Sequence, residues 1–273
     1  MAHWNRRVNG VRSIARPDSA RRLQAVIRST RTGTASPLTG LRAGRIDRTR
    51  VARLGCGDMR VFKQPHAPSP KKVRVIFLLD ASGSMHGHEA TITCQLARDF
   101  ADAITGMREV TGEAWAHTTS YLPAGNGHGT IVVAPLWKKG MPTDKVNRYM
   151  TLDMTGNEDG WAIAYVGDRL AETIQPDETG LVVVISDGAP AYSVGPTSPI
   201  PGKVSSYEHT RMVVENIRER GHGVISVSVS RALNVQSQAA MYGKDAVVAY
   251  DPNMAVTARR IGLAIGNAFK QGR

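Results

Sequence analysis

The chain has 273 residues, with 35 Lys and Arg against 23 Asp and Glu, a formal charge of +12, and 41% hydrophobic and 5% aromatic residues. That length supports one large domain with an arm, or two small domains, and a core that needs no disulfide support. No apolar run approaches the roughly 18 residues of a spanning helix, and two cysteines, Cys56 and Cys94, exclude a disulfide framework.

The charge is concentrated at one end. Residues 1–72 carry 17 Lys and Arg and three acids (Asp18, Asp47, Asp58), a net +14, whereas residues 73–273 carry 18 against 20, a net −2. Residues 1–70 are therefore expected to form a basic, partly disordered arm and lead-in, with residues 1–35 separable from the rest of the chain. A short helix is expected around 19–28 and another basic one from about Asp47. Such an arm attracts nucleic acid, an anionic surface or an acidic partner. It carries no helix-turn-helix, zinc-finger or RNA-recognition signature. Residues 1–22 are basic but lack the apolar stretch of a secretory signal, which points to a cytoplasmic, reducing setting with no membrane.

After the Pro-rich segment 66–72 (HAPSPKK) the texture changes, and residues 71–273 are read as one domain. Residues 73–79 (VRVIFLL) form a continuous apolar run of strand length, suited to a parallel strand buried on both faces. Residues 87–108 place Ile92, Leu96, Phe100, Ile104 and Met107 at helical spacing. Residues 113–121 and 129–137 read as strands joined by a turn at 122–128, an edge hairpin. Ile163, Val166, Leu170 and Ile174 line one face of a helix over 161–174. Residues 181–185 (LVVVI) are a second buried strand. A helix over 207–220 ends at Gly221, strands follow at 223–229 and 246–250, and a closing helix runs over 254–269. This alternation specifies a doubly wound, mostly parallel α/β sheet with helices on both faces, a Rossmann-like architecture. The loop 189–206, with four prolines, is long enough to be functional.

Ligands in such sheets bind beyond the carboxyl ends of the strands. Three segments fall there: 80–85 (DASGSM), 155–160 (TGNEDG) and 186–188 (SDG). They offer carboxylates, hydroxyls and a carboxamide, and no thiolate. Oxygen donors of that kind suit a hard divalent cation, Mg²⁺ or Mn²⁺, with coordination positions left for an outside carboxylate. Asp80 ends its strand, Gly83 permits a tight turn, and Ser82 and Ser84 direct hydroxyls back to the ion.

The run Asp80-Ala81-Ser82-Gly83-Ser84 after a buried strand, matched by Ser186-Asp187-Gly188, resembles the metal-ion-dependent adhesion site of von Willebrand factor A domains. The resemblance implies Asp80, Ser82 and Ser84 as ligands. It also implies a second-loop residue, chosen among Thr155, Asn157 and Asp159 with Asp159 foremost, and Asp187 acting through a water or Ser82. Segments 156–160 (GNEDG), 181–190 (LVVVISDGAP), 44–54 (GRIDRTRVARL) and 61–63 (VFK) further resemble the T subunit of aerobic cobaltochelatase. That resemblance implies a non-catalytic subunit working with a hexameric AAA+ ATPase and a large chelatase-type subunit in cobalt insertion for cobalamin biosynthesis. A second reading is a free-standing adaptor of a MoxR-type AAA+ chaperone acting on another client. A third is nucleic-acid binding through the arm.

Other chemistry is disfavoured. No phosphate-binding G-x-x-x-x-G-K-[ST] occurs, and the residues around Ser82 are not G-x-S-x-G. His86 and His88 read as solvated residues at a helix start, because hard-ion sites favour oxygen over imidazole. Cys94 reads as a buried inert thiol and Cys56 as exposed.

Overall fold

The computed structural model describes residues 12–31, 38–64, 72–121, 129–156, 158–188, 190, 204–230 and 235–271. The turn at 122–128, Asn157 and most of the loop 189–206 lie outside them. Helix α1 spans Pro17–Arg31, strand β1 Leu38–Leu41, β2 Arg45–Ile46, β3 Phe62–Gln64 and β4 Lys72–Asp80. Then come α2 (His88–Thr105), β5 (Val110–Tyr121), β6 (Gly129–Lys138), a 3₁₀ segment (Thr143–Thr151), α3 (Asp159–Thr173) and β7 (Glu178–Ser186). The chain continues with α4 (Ser206–Glu219), β8 (Gly223–Ser228), α5 (Val235–Tyr242), β9 (Val247–Ala249) and α6 (Met254–Gln271).

The main sheet has the order β6-β5-β4-β7-β8-β9, with β6 antiparallel and every other neighbour parallel. Strand β4 is central, and its residues from Val75 to Asp80 are all buried, as are all six of β8. Burial on both faces is why 73–79 reads as a continuous apolar run, and 181–185 of β7, buried throughout, does so for the same reason. Helix α1 packs against both α2 and α6, and α4 against both α3 and α5. Residues 113–121 were expected in an edge hairpin. The pairing is antiparallel and lies at one side of the sheet as expected; β5 begins at Val110 and runs parallel to β4, so of the pair β6 is the edge strand. Among the described residues no helix is long and apolar enough to cross a membrane.

The N-terminal quarter departs from its expectation in two places. Residues 38–64 hold a separate three-stranded antiparallel sheet, β1-β3-β2. The short helix expected from Asp47 is displaced. Asp47 Oδ1 instead accepts from the Thr49 N–H (3.2 Å) and hydroxyl (2.8 Å), closing a turn that leads to a 3₁₀ segment, Val51–Cys56.

Helix α1 is also not separable. Its stripe of Ala20, Leu23 and Ile27 belongs to the main hydrophobic core, with Leu23 fully buried. The stripe rests on α2 and α6. The chain ahead of it is fastened as well. The Ser13 N–H donates to Asn147 Oδ1 (2.9 Å) and the Ile14 N–H to Gln95 Oε1 (3.0 Å), while Arg16 Nε donates to the buried Asp99 (3.2 Å). A Cβ on Gly262 of α6 would collide with Val26 of α1, so glycine permits this close approach. Leu23→Ala is expected to destabilise the whole domain by about 2–5 kcal/mol through lost burial and a residual cavity. Urea denaturation of the full chain checks this, and a stability within about 0.5 kcal/mol of wild type, the range of neutral surface changes, would show that α1 is dispensable to the core.

Candidate metal site at the carboxyl end of the sheet

Side-chain alternation along two strands decides what faces the site. Phe77 of β4 packs on Phe100 of α2, ring centroids 4.7 Å apart. Asp80, three residues on, therefore points to the opposite face, toward α3. On β5, Gly112 lies against Ile104 of α2, and Trp115 meets Tyr165 of α3 edge-on at 5.7 Å. His117 shares the parity of Trp115, so it too faces α3. The parallel register sets Asp80 beside His117. Helix α3 begins at Asp159, and its first turn closes over both.

The first loop is held by short bonds. Asp80 Oδ1 accepts from the Ser82 N–H (2.8 Å) and Oδ2 from the Ser186 hydroxyl (2.9 Å), while the Tyr149 hydroxyl donates to the Asp80 carbonyl (2.5 Å). The Ser82 and Ser84 hydroxyls lie 3.0 Å apart, with Ser82 buried and Ser84 exposed. The tight turn expected at Gly83 forms as a short 3₁₀ segment, Gly83–Met85, and it needs no left-handed φ. The Gly83 N–H bonds to the Thr155 carbonyl, and a Cβ there would sit 3.1 Å from that oxygen. Glycine lets the second loop pass this close without the shift of a few tenths of an ångström that a Cβ would force.

That second loop is joined to the strand ends by two bridges, Ser82 to Thr155 and Thr119 to Gly156. Thr155 donates its hydroxyl to the Thr119 carbonyl and shares a contact with Thr118 at 3.2 Å. Among the second-loop candidates, Thr155 is thus engaged with β5, Asn157 falls outside the described residues, and Asp159 is buried beside His117. In the third loop the Gly188 N–H donates to Ser186 Oγ (3.1 Å), and the half-buried Asp187 takes a hydrogen bond from Ser84. The structure thus gathers Asp80, Ser82, Ser84, Asp159 and Asp187 from three loops at one end of the sheet.

His117 was not anticipated. It is fully buried, and its Nε2 lies 3.6 Å from Asp159 Oδ1. Asp80, His117 and Asp159 each present one ligand atom within 4.8 Å of the others. The strand around it, VTGEAWAHTTSY, carries several other polar residues, so His117 does not stand out, and its position beside Asp80 depends on a strand register that the sequence does not display.

The charges are in tension. Burial, followed by the carboxylates of Asp80, Asp187 and Glu158, pushes the Asp159 carboxyl well above the ordinary range. Burial also raises Asp187, helped by Asp80 and opposed by the Ser84 hydrogen bond. Burial holds the His117 imidazole below its usual value, against the pull of Asp80. Both His117 nitrogens, Asp159 Oδ1 and the Tyr242 hydroxyl are buried without a hydrogen-bond partner. Of the eleven such atoms among the described residues, these four lie beside carboxylates that a cation would neutralise. The residues present therefore fit a divalent ion.

The remaining candidates are quickly placed. His86 and His88 are exposed, as expected. Cys56 and Cys94 are free, Cys56 exposed and Cys94 buried, and burial pushes the Cys94 thiol up to about 11, an inert thiol.

No protein-family model matches the chain, and no curated protein matches it either. Among solved structures it is similar to the pilus adhesin SpaC from Lactobacillus rhamnosus GG, at 13% identity and a TM-score of 0.52, covering 75% of this chain and 31% of that one. It is also similar to three N-terminal domains of the type V pili tip protein Mfa5 from Porphyromonas gingivalis, at 10% identity and a TM-score of 0.50, covering 68% of this chain and 48% of that one. The vWF domain of Mfa5 aligns at 10% identity with a TM-score of 0.48, over 73% of this chain and 94% of that one. The chain thus spans under half of the SpaC and three-domain Mfa5 chains. At such identities the likeness concerns the fold alone: a mixed α/β domain with a mostly parallel sheet flanked by helices. Nothing in these likenesses is specific to a cobaltochelatase subunit.

Proposed function

We propose that this chain is a metal-dependent protein-interaction subunit. The observation that carries the reading is the convergence of Asp80, Ser82, Ser84, Asp159 and Asp187 at the carboxyl end of the sheet, beside the unpaired Asp159 Oδ1 and His117 nitrogens. These residues would hold a divalent cation, Mg²⁺ or Mn²⁺. The bound ion supplies positive charge and open coordination positions for an acidic side chain of another protein. Without it, the half-buried carboxylate of Asp187, backed by the buried Asp80, repels that same side chain.

The finer reading is a subunit of an AAA+ ATPase-driven complex of the cobaltochelatase kind, with a large chelatase-type subunit as the second partner. Its support is the sequence of the second and third loops, 156–160 and 181–190, together with the lead-in 44–54. A MoxR-type adaptor on another client shares the same site chemistry. The two free cysteines accord with a reducing, cytoplasmic setting. The basic arm offers an acidic partner or nucleic acid a separate attachment.

Affinity capture with the tagged full chain from its source cell, in Mg²⁺ and in EDTA, tests the reading. An AAA+ ATPase is expected with Mg²⁺ and lost with chelator, and Ser82→Ala and Ser84→Ala should weaken the capture without unfolding the chain. Association with the ATPase that ignores the chelator would overturn the metal-dependent mode. Recovery of a chelatase large subunit, as against another client, decides between the two finer readings.

A further inference from the structure

An oxygen-only site leaves the imidazole at its floor unexplained. A fully buried histidine ordinarily fixes its tautomer by donating one N–H to a defined acceptor. His117 does not: neither ring nitrogen has a hydrogen-bond partner, and Asp159 Oδ1, 3.6 Å away, has none either. Two facing polar groups, both desolvated and both unsatisfied, mark a place where a third body belongs.

We propose that His117 is a direct ligand of the bound cation, together with Asp80 and Asp159, and that the site consequently prefers a borderline transition cation such as Zn²⁺ over Mg²⁺. This rests on the reading above, that the Asp80 site binds a divalent ion. The geometry admits it. Ligand bonds of about 2.0–2.2 Å separate donor atoms around one ion by roughly 3–4 Å. The three donors, already within 4.8 Å of one another, need side-chain shifts of less than about 1 Å to reach such spacing.

The donor chemistry sets the preference. Mg²⁺ demands near-octahedral oxygen coordination and parts with water reluctantly. An imidazole nitrogen is a softer donor that suits Zn²⁺, whereas carboxylate, carbonyl and water oxygens suit Mg²⁺ and Mn²⁺. Three protein ligands with one open position is also the arrangement of zinc sites that exchange an outside ligand. The Ser82 and Ser84 hydroxyls are then placed to donate to the incoming carboxylate rather than to surround the ion alone. The competing role is positioning: His117 Nε2–H orients Asp159, which alone binds the metal.

The roles separate by measurement on the chelator-stripped full chain. Calorimetric titrations with Zn²⁺ and with Mg²⁺ are compared for the wild type, His117→Gln and Asp80→Asn. The wild type should bind Zn²⁺ at least about 100-fold more tightly than Mg²⁺. His117→Gln should lower Zn²⁺ affinity about 30-fold or more and change Mg²⁺ affinity less than about 3-fold. Pulsed electron paramagnetic resonance of the Mn²⁺-loaded wild type should show modulation from a bound ¹⁴N, absent in His117→Gln. The spectrum on the wild type keeps the inference testable if the variant misfolds. A Zn²⁺ to Mg²⁺ ratio unchanged by His117→Gln, or no ¹⁴N coupling in the wild type, overturns direct ligation and leaves the metal-dependent reading standing. A folded wild type that binds neither ion, or binds both equally well as Asp80→Asn, removes the site itself.

Discussion

Asp80→Asn is expected to lower divalent-cation affinity by two orders of magnitude or more, about 3 kcal/mol or more, while the fold persists. The carboxylate supplies the charge that attracts the ion, and the amide does not. The hydrogen bonds, in contrast, survive the exchange. Asn Oδ1 still accepts from the Ser82 N–H, and its amide donates to the Ser186 hydroxyl, which reorients. The Tyr149 bond to the residue-80 carbonyl involves backbone and is untouched. Removing one carboxylate from a crowded acidic cluster also relieves repulsion on Asp159 and Asp187. Calorimetry for affinity and circular dichroism in EDTA for the fold check the two halves. Retained affinity would displace Asp80 from the site.

How far the sequence alone reveals this arrangement differs between its parts. The central strands were legible because burial on both faces leaves a continuous apolar run, and no alternative element accommodates 73–79 or 181–185. The donors Asp80, Ser82, Ser84 and Asp187 were legible because each follows directly on such a strand. His117 was not: its partners come from β4 and α3, and the parallel register that aligns it with Asp80 is a tertiary fact. The packing of α1 was hidden for a related reason. Ala20, Leu23 and Ile27 make a narrow apolar stripe on a helix otherwise dominated by arginine and polar residues, which reads as solvated until α2 and α6 are known to flank it. The lead-in sheet was invisible because strands of four, two and three residues carry too few positions for a period-two pattern. Helix α5 has only eight residues, and amphipathic spacing over two turns is weak evidence.

Asp159→Asn is expected to invert the stability order of two forms of the protein. Asp159 is buried among Asp80, Asp187 and Glu158, and its carboxyl holds its proton well above the ordinary range. With the folded value raised above the unfolded one, the native state binds more protons between the two values. Stability of the metal-free chain therefore falls as pH rises through that window. The first-turn position on α3 favours a negative charge through the helix dipole, by about 0.3–1 kcal/mol. Burying a carboxylate among like charges outweighs that by the direction of the shift. In EDTA at pH 8 the asparagine variant should thus be the more stable, by about 1–2 kcal/mol or a few degrees in Tm, and its advantage should shrink at pH 5. With the cation added at a hundred times its Kd, only the wild type gains the binding term of about 2.7 kcal/mol, so the order reverses. Thermal melts of both chains at the two pH values, with EDTA and with Zn²⁺, measure all of this. A variant less stable than wild type in EDTA at pH 8 would show that Asp159 holds the fold together without an ion, and the strain attributed to the acidic cluster would have to be withdrawn.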